Sequence, residues 1–160
     1  MMLFLKNLLF TLVMPCTVAV YAPLLMVQNR SPASGPLFAL ALAVLALGVA
    51  IYAWCVWDFA TFGRGTPAPI DAPRRLVIRG LYRYTRNPMY MGVLTVILGW
   101  AVLFQTAALV LYTLIVGACF HLFIVLYEEH HLQKEFGGAY DDYRSRVNRW
   151  LPRLGRRLAA

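Results

Sequence analysis

The sequence predicts an all-α, polytopic membrane protein with four transmembrane helices and a cytoplasmic C-terminal helical segment. Of its 160 residues, 61% are hydrophobic and only 14% are charged. Three stretches, 8–27, 37–57 and 88–127, contain no Asp, Glu, Lys or Arg and have the length of one or two bilayer crossings. The whole chain, 1–160, is therefore predicted to form a single integral membrane domain.

The first apolar stretch, 8–27, admits two interpretations. Lys6 followed by an apolar run is typical of a secretory signal peptide. The run is longer than the hydrophobic part of such a peptide, however, and the chain reaches Arg30 without an A-x-A cleavage site. We therefore predict a retained first span, kinked at Pro15 and Pro23 because proline cannot donate a backbone hydrogen bond.

The two remaining stretches predict three more spans. Residues 37–57 have the length of one crossing, whereas 88–127 contains 40 residues, about twice the length that one crossing needs. A polar pair at 105–106, near the middle of that stretch, predicts a turn. The sequence thus predicts spans 37–57, 88–104 and 107–127, and the last two form a tight helical hairpin.

The distribution of positive charge predicts the orientation. Of 15 Lys and Arg residues, six lie in 64–86 and seven in 134–157, whereas the loop 29–36 carries one. Since positively charged loops stay on the cytoplasmic side, both termini should face the cytoplasm and the protein should reside in the inner membrane. The formal net charge of +8 is then a topology signal beside membrane lipids, and no nucleic-acid recognition motif accompanies it.

Segment 74–92 concentrates polar chemistry next to the third predicted span. Asn87 and Pro88 are typical of a helix start, because Asn is a good cap and Pro is favoured in the first turn. The Arg and Tyr residues around them can form a belt at the lipid head groups. They can equally form a pocket in which Tyr faces bind a cation and Arg or Asn binds a carboxylate. The apolar run 76–78 favours a partly buried wall of such a pocket.

Segment 128–150 begins with Glu128-Glu129, the only Glu pair in the chain. Negative charge is unfavourable at a helix C-terminus, so this pair predicts a compensating cation or a ligand ammonium, unless it is simply a helix end that reaches water. A Gly pair at 137–138 divides the residues that follow into two short helices, which either pack on the membrane surface or fold back over the ligand. Their apolar positions, at helical spacing, are Leu132, Phe136, Tyr140, Tyr143 and Val147.

Two patterns bear on metal chemistry. His121 and Glu128 fall on nearly the same stripe of a regular helix, with His131 nearby, which leaves a metal-dependent intramembrane hydrolase as an alternative. No H-E-x-x-H motif is present, however, and the three cysteines lie far apart inside predicted spans without C-x-x-C spacing. We therefore predict no metal site and interpret the cysteines as packing residues.

At these two segments the chain resembles the isoprenylcysteine carboxyl methyltransferase and phospholipid methyltransferase superfamily of membrane enzymes. The resemblance covers roughly residues 58–153. The superfamily pattern is G-x-Y-x-x-x-R-H-P-x-Y-x-G, then an E-E pair followed by F-G-x-x-Y-x-x-Y. Here residues 80–92 read GLYRYTRNPMYMG, and Glu128-Glu129 precede FGGAYDDY at 136–143. Both elements occur in the expected order.

The resemblance implies that the chain binds S-adenosyl-L-methionine as methyl donor, with Arg86 and Glu129 as candidate catalytic residues that position the polar head of the acceptor. Asn87 replaces the usual His, which removes a possible proton acceptor at that position. The region 123–125 is apolar where the lipid-cysteine branch has an Arg, so recognition of a prenylcysteine carboxylate is not expected. The residues assigned to the donor are Leu76, Val77, Tyr82, Asn87, Pro88, Met89, Tyr90 and Glu128.

The acceptor is expected to be a lipophilic small molecule or a lipid that reaches the site from the bilayer. A small four-span transporter or interaction subunit is an alternative of a different class. Such a protein should place an ionisable residue inside its bundle, yet the first three predicted spans contain no charged residue. The sequence does not identify the acceptor atom, whether N, O or S, or the oligomeric state.

Overall fold

A computed structural model of the chain describes residues 13–63 and 76–151. Within these ranges all regular structure is helical and there is no β-strand, which agrees with the predicted fold class. Residues 8–12 of the first predicted span, Arg74, Arg75 and the tail after 151 lie outside the described residues. The α-helices are α1 (Val13–Met26), α2 (Pro36–Asp58), α3 (Pro88–Phe104), α4 (Ala107–Phe123), α5 (Glu129–Phe136) and α6 (Gly138–Arg146).

Two of the helical segments are long and apolar enough to cross a membrane. Helix α2 continues through a π-helical turn to give Pro36–Gly63, 28 residues, and α4 continues through another into α5 to give Ala107–Phe136, 30 residues. Helices α1 and α3 are apolar but shorter over the described residues. Helices α3 and α4 meet at the polar pair 105–106, where Gln105 adopts the left-handed conformation that ends α3.

Helices α2 and α3 form the tightest pair, because glycines let their backbones touch. A Cβ atom added to Gly48 would lie 2.7 Å from the backbone nitrogen of Val96 and 2.9 Å from the carbonyl oxygen of Gly92. A Cβ atom at Gly92 would similarly lie 3.0 Å from the backbone nitrogen of Tyr52. Small residues at such contacts stabilise helix pairs in membranes, where close van der Waals packing replaces the hydrophobic effect.

Two side-chain hydrogen bonds to backbone carbonyls near Pro23 hold α1 against the rest of the bundle. Pro23 has no N–H to donate to the carbonyl of Ala19 four residues earlier, and the preceding turn, Thr17–Tyr21, is π-helical. The Trp100 indole donates to the freed Ala19 carbonyl at 2.9 Å, and the Tyr112 hydroxyl donates to the Val18 carbonyl at 3.0 Å. Side chains of α3 and α4 thus satisfy backbone groups that an apolar environment would leave unpaired.

The two ends of the bundle differ in character. At one end, the loop after α1 meets the α3–α4 turn, where the Ala33 amide donates to the Leu103 carbonyl at 2.6 Å. At the other end, α5 and α6 fold back and pack on the run 76–78, burying Tyr140, Tyr143 and Val147. Segments 76–92 and 128–150 are therefore brought together at this second end.

Candidate active site

An apolar cavity of about 480 Å³ opens at the second end of the bundle. Its walls come from α1, α2, α3 and α4, and α5 and α6 close one side of it. Apolar side chains make up almost all of the surface, and few polar groups reach it. The lining residues include Phe59, Leu76, Val77, Tyr82, Arg86, Met89, Tyr90, Cys119, Phe120, Phe123, Tyr127, Glu128, His131, Glu135 and Tyr143.

Glu128 places a carboxylate on the cavity wall. It is the last residue of the π-helical turn Ile124–Glu128, and the Tyr90 hydroxyl of α3 donates to its Oε2 at 2.7 Å. Among the described residues, no Lys or Arg lies within ion-pairing distance of this carboxylate. The groups that act on its charge are the neutral donor Tyr90 and the nearby His131 side chain, and with no Lys or Arg bound it can accept a cationic group of a ligand.

A turn that begins at Gly80 places the Tyr82 side chain in the cavity wall. The 3₁₀ turn Gly80–Arg83 begins with Gly80 at φ +57°, and a Cβ atom there would collide with the Asp58 carboxylate. The Tyr82 ring is buried against Phe59, with centroids 5.5 Å apart in an edge-to-face arrangement. Burial raises the pKa of the Tyr82 phenol well above its ordinary value, so the hydroxyl stays protonated.

Residues 147–150, which follow α6, form a strap across segment 85–87. The Arg86 amide donates to the Asn148 carbonyl at 3.0 Å. The Thr85 hydroxyl and the Asn87 side-chain amide both donate to the Arg149 carbonyl, at 3.0 and 3.1 Å. Below the strap, the Tyr143 hydroxyl donates to the Tyr82 carbonyl at 2.7 Å. The C-terminal segment thus holds the polar loop in place.

Glu129, the first residue of α5, binds the strap and does not line the large cavity. Arg149 binds its two carboxylate oxygens with Nε and Nη2, at 2.7 and 3.0 Å. The Arg86 Nη1 lies 3.2 Å from Glu129 Oε1 and also donates to the Tyr140 hydroxyl at 3.1 Å. The hydrogen bonds and charge of Glu129 hold the pKa of the Arg149 guanidinium above its usual range. Two guanidinium groups therefore share one carboxylate.

The structure separates the sequence-predicted site residues into two groups. Asn87, Pro88 and Glu129 lie outside the lining of the large cavity: Pro88 is fully buried, and the other two contact the strap or its arginine. The other seven form part of the cavity wall. These are Leu76, Val77, Tyr82, Arg86, Met89, Tyr90 and Glu128.

Sequence reasoning missed most of the aromatic wall. Phe59 from the end of α2 and Phe120, Phe123 and Tyr127 from α4 and its π-helical extension line the cavity. Inside uniformly apolar spans these residues carry no periodic signal. The Arg149 contacts were missed as well, since one of seven Lys and Arg residues in a basic tail is not distinctive.

His121 and Glu128 do not lie on one face of a regular helix, contrary to the sequence prediction. The π-helical turn at Ile124–Glu128 widens the helix, so the regular spacing of about 100° per residue no longer applies. His121 faces the strap, where its Nδ1 accepts a hydrogen bond from the Trp150 indole at 3.1 Å. Among the described residues there is no group of three His, Cys, Asp or Glu side chains suited to a metal ion.

Comparison with known proteins identifies the family. Over 74 residues the chain is 38% identical to Methanethiol S-methyltransferase 2 of Bradyrhizobium diazoefficiens, a match that covers 46% of this chain and 27% of that protein. The chain thus aligns with only about a quarter of that relative's length. No solved structure matches it. The model of the phospholipid methyltransferase family matches residues 37–139, from α2 through the cavity to α6, and the chain belongs to that family.

Proposed function

We propose that this protein is an S-adenosyl-L-methionine-dependent methyltransferase that acts on a lipophilic or amphipathic acceptor at the cytoplasmic face of the membrane. Family membership supports the reaction class. The observation that carries the proposal is a carboxylate, Glu128, on the wall of a largely apolar cavity, with no Lys or Arg within ion-pairing distance among the described residues. Such a site suits a ligand that combines a positive charge with apolar surface.

The side chains present fit that methyl donor. The cavity volume, about 480 Å³, lies within the range of about 300 to 1,000 Å³ that small-molecule sites occupy. Glu128 would bind the donor's ammonium group, with Tyr90 orienting the carboxylate. The Arg86 Nε is buried and has no hydrogen-bond partner among the described residues, so it can donate to the donor's carboxylate. Backbone groups near Leu76 and Val77 are also proposed to bind the donor.

The chain's own contribution is alignment and exclusion of water. The bound sulfonium supplies a methyl group that is already activated for displacement. Tyr82, Met89, Phe120 and Phe123 line the cavity, so the reacting atoms would meet among apolar side chains that exclude water. No nucleophilic side chain is required. Arg86 and Glu129, proposed from the sequence as catalytic, would act by fixing the loop beside the acceptor's polar head.

The donor site is tested by two neighbouring charge-neutral substitutions. Glu128→Gln should weaken binding of S-adenosyl-L-methionine more than Glu129→Gln, because a hydrogen bond to a charged group is worth about 1.5 to 3 kcal/mol. Dissociation constants would be measured by calorimetry on folded protein in nanodiscs, with thermal unfolding as the control for each variant. Equal constants for the two variants would contradict the assignment of Glu128.

The acceptor is proposed to reach the site from the bilayer. Phe123 and Tyr127 line the cavity and are also 42% and 47% exposed, so the cavity wall continues onto the outer surface of the helix. Each methylene moved from water contributes about 0.8 kcal/mol. Initial rates at saturating donor should rise with alkyl length for acceptors sharing one head group. A flat dependence would argue against access from the bilayer and leave the methyltransferase assignment intact.

We also propose that the chain crosses the membrane four times, with both termini in the cytoplasm. Helices α1 to α4 would cross, and the strap, α5 and α6 would lie at the cytoplasmic face, where most Lys and Arg residues are found. Reporter fusions after Ala160 and within 31–35 should report opposite sides of the inner membrane. A C-terminus on the far side would overturn the four-crossing arrangement.

A further inference from the structure

A second, much smaller cavity is lined by both members of the pair Glu128-Glu129. Its volume is about 20 Å³, against about 480 Å³ for the large cavity. A cavity needs at least about 10 to 15 Å³ to hold one water molecule, so this one has room for a single molecule of that size. Six of its eight lining residues are polar or charged. The eight are Arg86, Asn87, Ile124, Glu128, Glu129, Leu132, Tyr140 and Tyr143.

The Arg86 guanidinium brings an unpaired donor to the small cavity. Its Nη1 donates to the Tyr140 hydroxyl at 3.1 Å and lies 3.2 Å from Glu129 Oε1. Its Nε is buried and makes no hydrogen bond among the described residues. Four buried side-chain nitrogen or oxygen atoms of the described residues share that condition, and Arg86 Nε is the one whose residue lines the small cavity. A buried donor on a charged group is costly to leave unpaired, so a small acceptor beside it is the expected complement.

Two further groups at this cavity have bonding capacity left. The Tyr140 hydroxyl accepts the bond from Arg86, and burial raises the pKa of its phenol, so the hydroxyl keeps a hydrogen that it can donate. The Glu128 carboxylate accepts a bond from Tyr90 at 2.7 Å, and a carboxylate has about four acceptor sites. Arg86 Nε and the Tyr140 hydroxyl can therefore donate into the small cavity, and Glu128 can accept.

We propose that the small cavity binds one ordered water molecule, which accepts hydrogen bonds from Arg86 Nε and the Tyr140 hydroxyl and donates one to the Glu128 carboxylate. Water fits this set because it offers both acceptor sites and hydrogens, and buried waters typically make about three hydrogen bonds. A cation of similar size could not accept from a guanidinium. A small anion would lie beside two carboxylates, Glu128 and Glu129, which repel it.

This water joins the wall of the large cavity to the strap. It connects Glu128 to the Arg86 guanidinium, which is paired with Glu129. The Glu128 carboxylate thus gains a second donor besides Tyr90, and Arg86 acts on it through one water molecule. The proposal concerns the protein without methyl donor. Since Arg86 also lines the large cavity, a methyl donor whose carboxylate reaches Nε would take the place of this water.

The first test is a crystal structure of the wild-type protein without methyl donor, grown from a lipid phase and solved at a resolution that shows ordered water. One water peak should lie about 2.7 to 3.2 Å from Arg86 Nε and at hydrogen-bond distance from a carboxylate oxygen of Glu128. A small cavity without a peak, or a peak that contacts neither group, would overturn the proposal.

The second test detects the same water in nanodiscs by nuclear magnetic resonance. In ¹⁵N-labelled protein the Arg86 Nε–H signal is identified by its loss in Arg86→Lys, and it should show a nuclear Overhauser effect to a bound water. Glu128→Leu should lose that effect, because the water loses its acceptor. Glu135→Leu is the matched control, since Glu135 lines the large cavity alone. No effect in the wild type, or an undiminished effect in folded Glu128→Leu, would contradict the proposal.

Addition of S-adenosyl-L-methionine separates this proposal from the proposed function. If the methyl donor binds with its carboxylate on Arg86 Nε, the effect to water should disappear. If the methyl donor binds and the effect remains, the water site stands and the assignment of Arg86 Nε to the methyl donor is wrong. If no methyl donor binds, the methyltransferase proposal fails, and the measurements on the free protein still decide whether the small cavity holds a water.

Discussion

The cavity wall and the strap, residues 147–150, differ in how they contact the adjacent residues Glu128 and Glu129. The Glu128 carboxylate lies on the cavity wall, whereas the Glu129 carboxylate binds Arg149 of the strap. Glu128 faces apolar walls and one neutral donor, Tyr90. Glu129 is bound by Arg86 and Arg149 through three contacts between 2.7 and 3.2 Å. Adjacent residues of the same type therefore have different surroundings: Glu128 has no Lys or Arg partner among the described residues, whereas removing Glu129 would leave two arginines without their carboxylate.

The largest expected effect on unfolding free energy comes from removing the Glu129 carboxylate, which binds Arg149 of the strap. Glu129→Ala leaves the buried Arg86 without its counter-ion, and losing one partner of such a pair costs about 3 kcal/mol. Glu128→Ala removes one hydrogen bond to a charged group, worth about 1.5 to 3 kcal/mol, but it also removes the cost of burying a carboxylate that has no cationic partner among the described residues. Its net loss of unfolding free energy should therefore be smaller than that of Glu129→Ala. Denaturant unfolding of the two variants in detergent provides the measurement. Equal losses of unfolding free energy in the two variants would mean that the two carboxylates contribute equally to stability.

A second change should affect both regions, because helix α3 lines the cavity and begins directly after segment 85–87, which the strap holds. Gly48→Ala pushes a Cβ atom against the α3 backbone, and overpacking of this kind costs about 2 kcal/mol. The matched control is Gly117→Ala, whose Cβ would meet only Leu94 at 3.7 Å or more. Thermal unfolding should show a loss for the first variant and a neutral or slightly stabilising result for the second. A similar loss for both would mean that close backbone contact is not the cause.

The smallest effect tests the link between the two regions. Burial raises the pKa of the Tyr143 phenol, so its hydroxyl remains a donor to the Tyr82 carbonyl. Tyr143→Phe should cost about 1 kcal/mol and weaken donor binding through the displaced Tyr82. Tyr84→Phe is the control, since Tyr84 is 56% exposed. Isothermal calorimetry and unfolding of the same preparations would detect both effects; unchanged donor binding would mean that the cavity is independent of the strap.

Much of the fold was predictable from the sequence because apolar length and chain-breaking residues are local signals. The predicted span at 88–104 coincides with α3, and the predicted turn at 105–106 is present. The Gly pair 137–138 divides α5 from α6 as expected. The number of membrane crossings and the orientation remain predictions. The meeting of segments 76–92 and 128–150 was anticipated only through the family resemblance.

The sequence by itself determined the all-α fold, the family and the two polar segments, since composition, spacing and motif order are properties of the chain alone. The family resemblance implied Glu128 for the ligand, but only the tertiary structure gives the physical reason: the π-helical turn Ile124–Glu128 changes the direction of the side chains before Glu129. The same holds for Arg149, which is 20 residues from Glu129 yet bonded to it. Helical periodicity cannot foresee such a turn or a contact between distant segments.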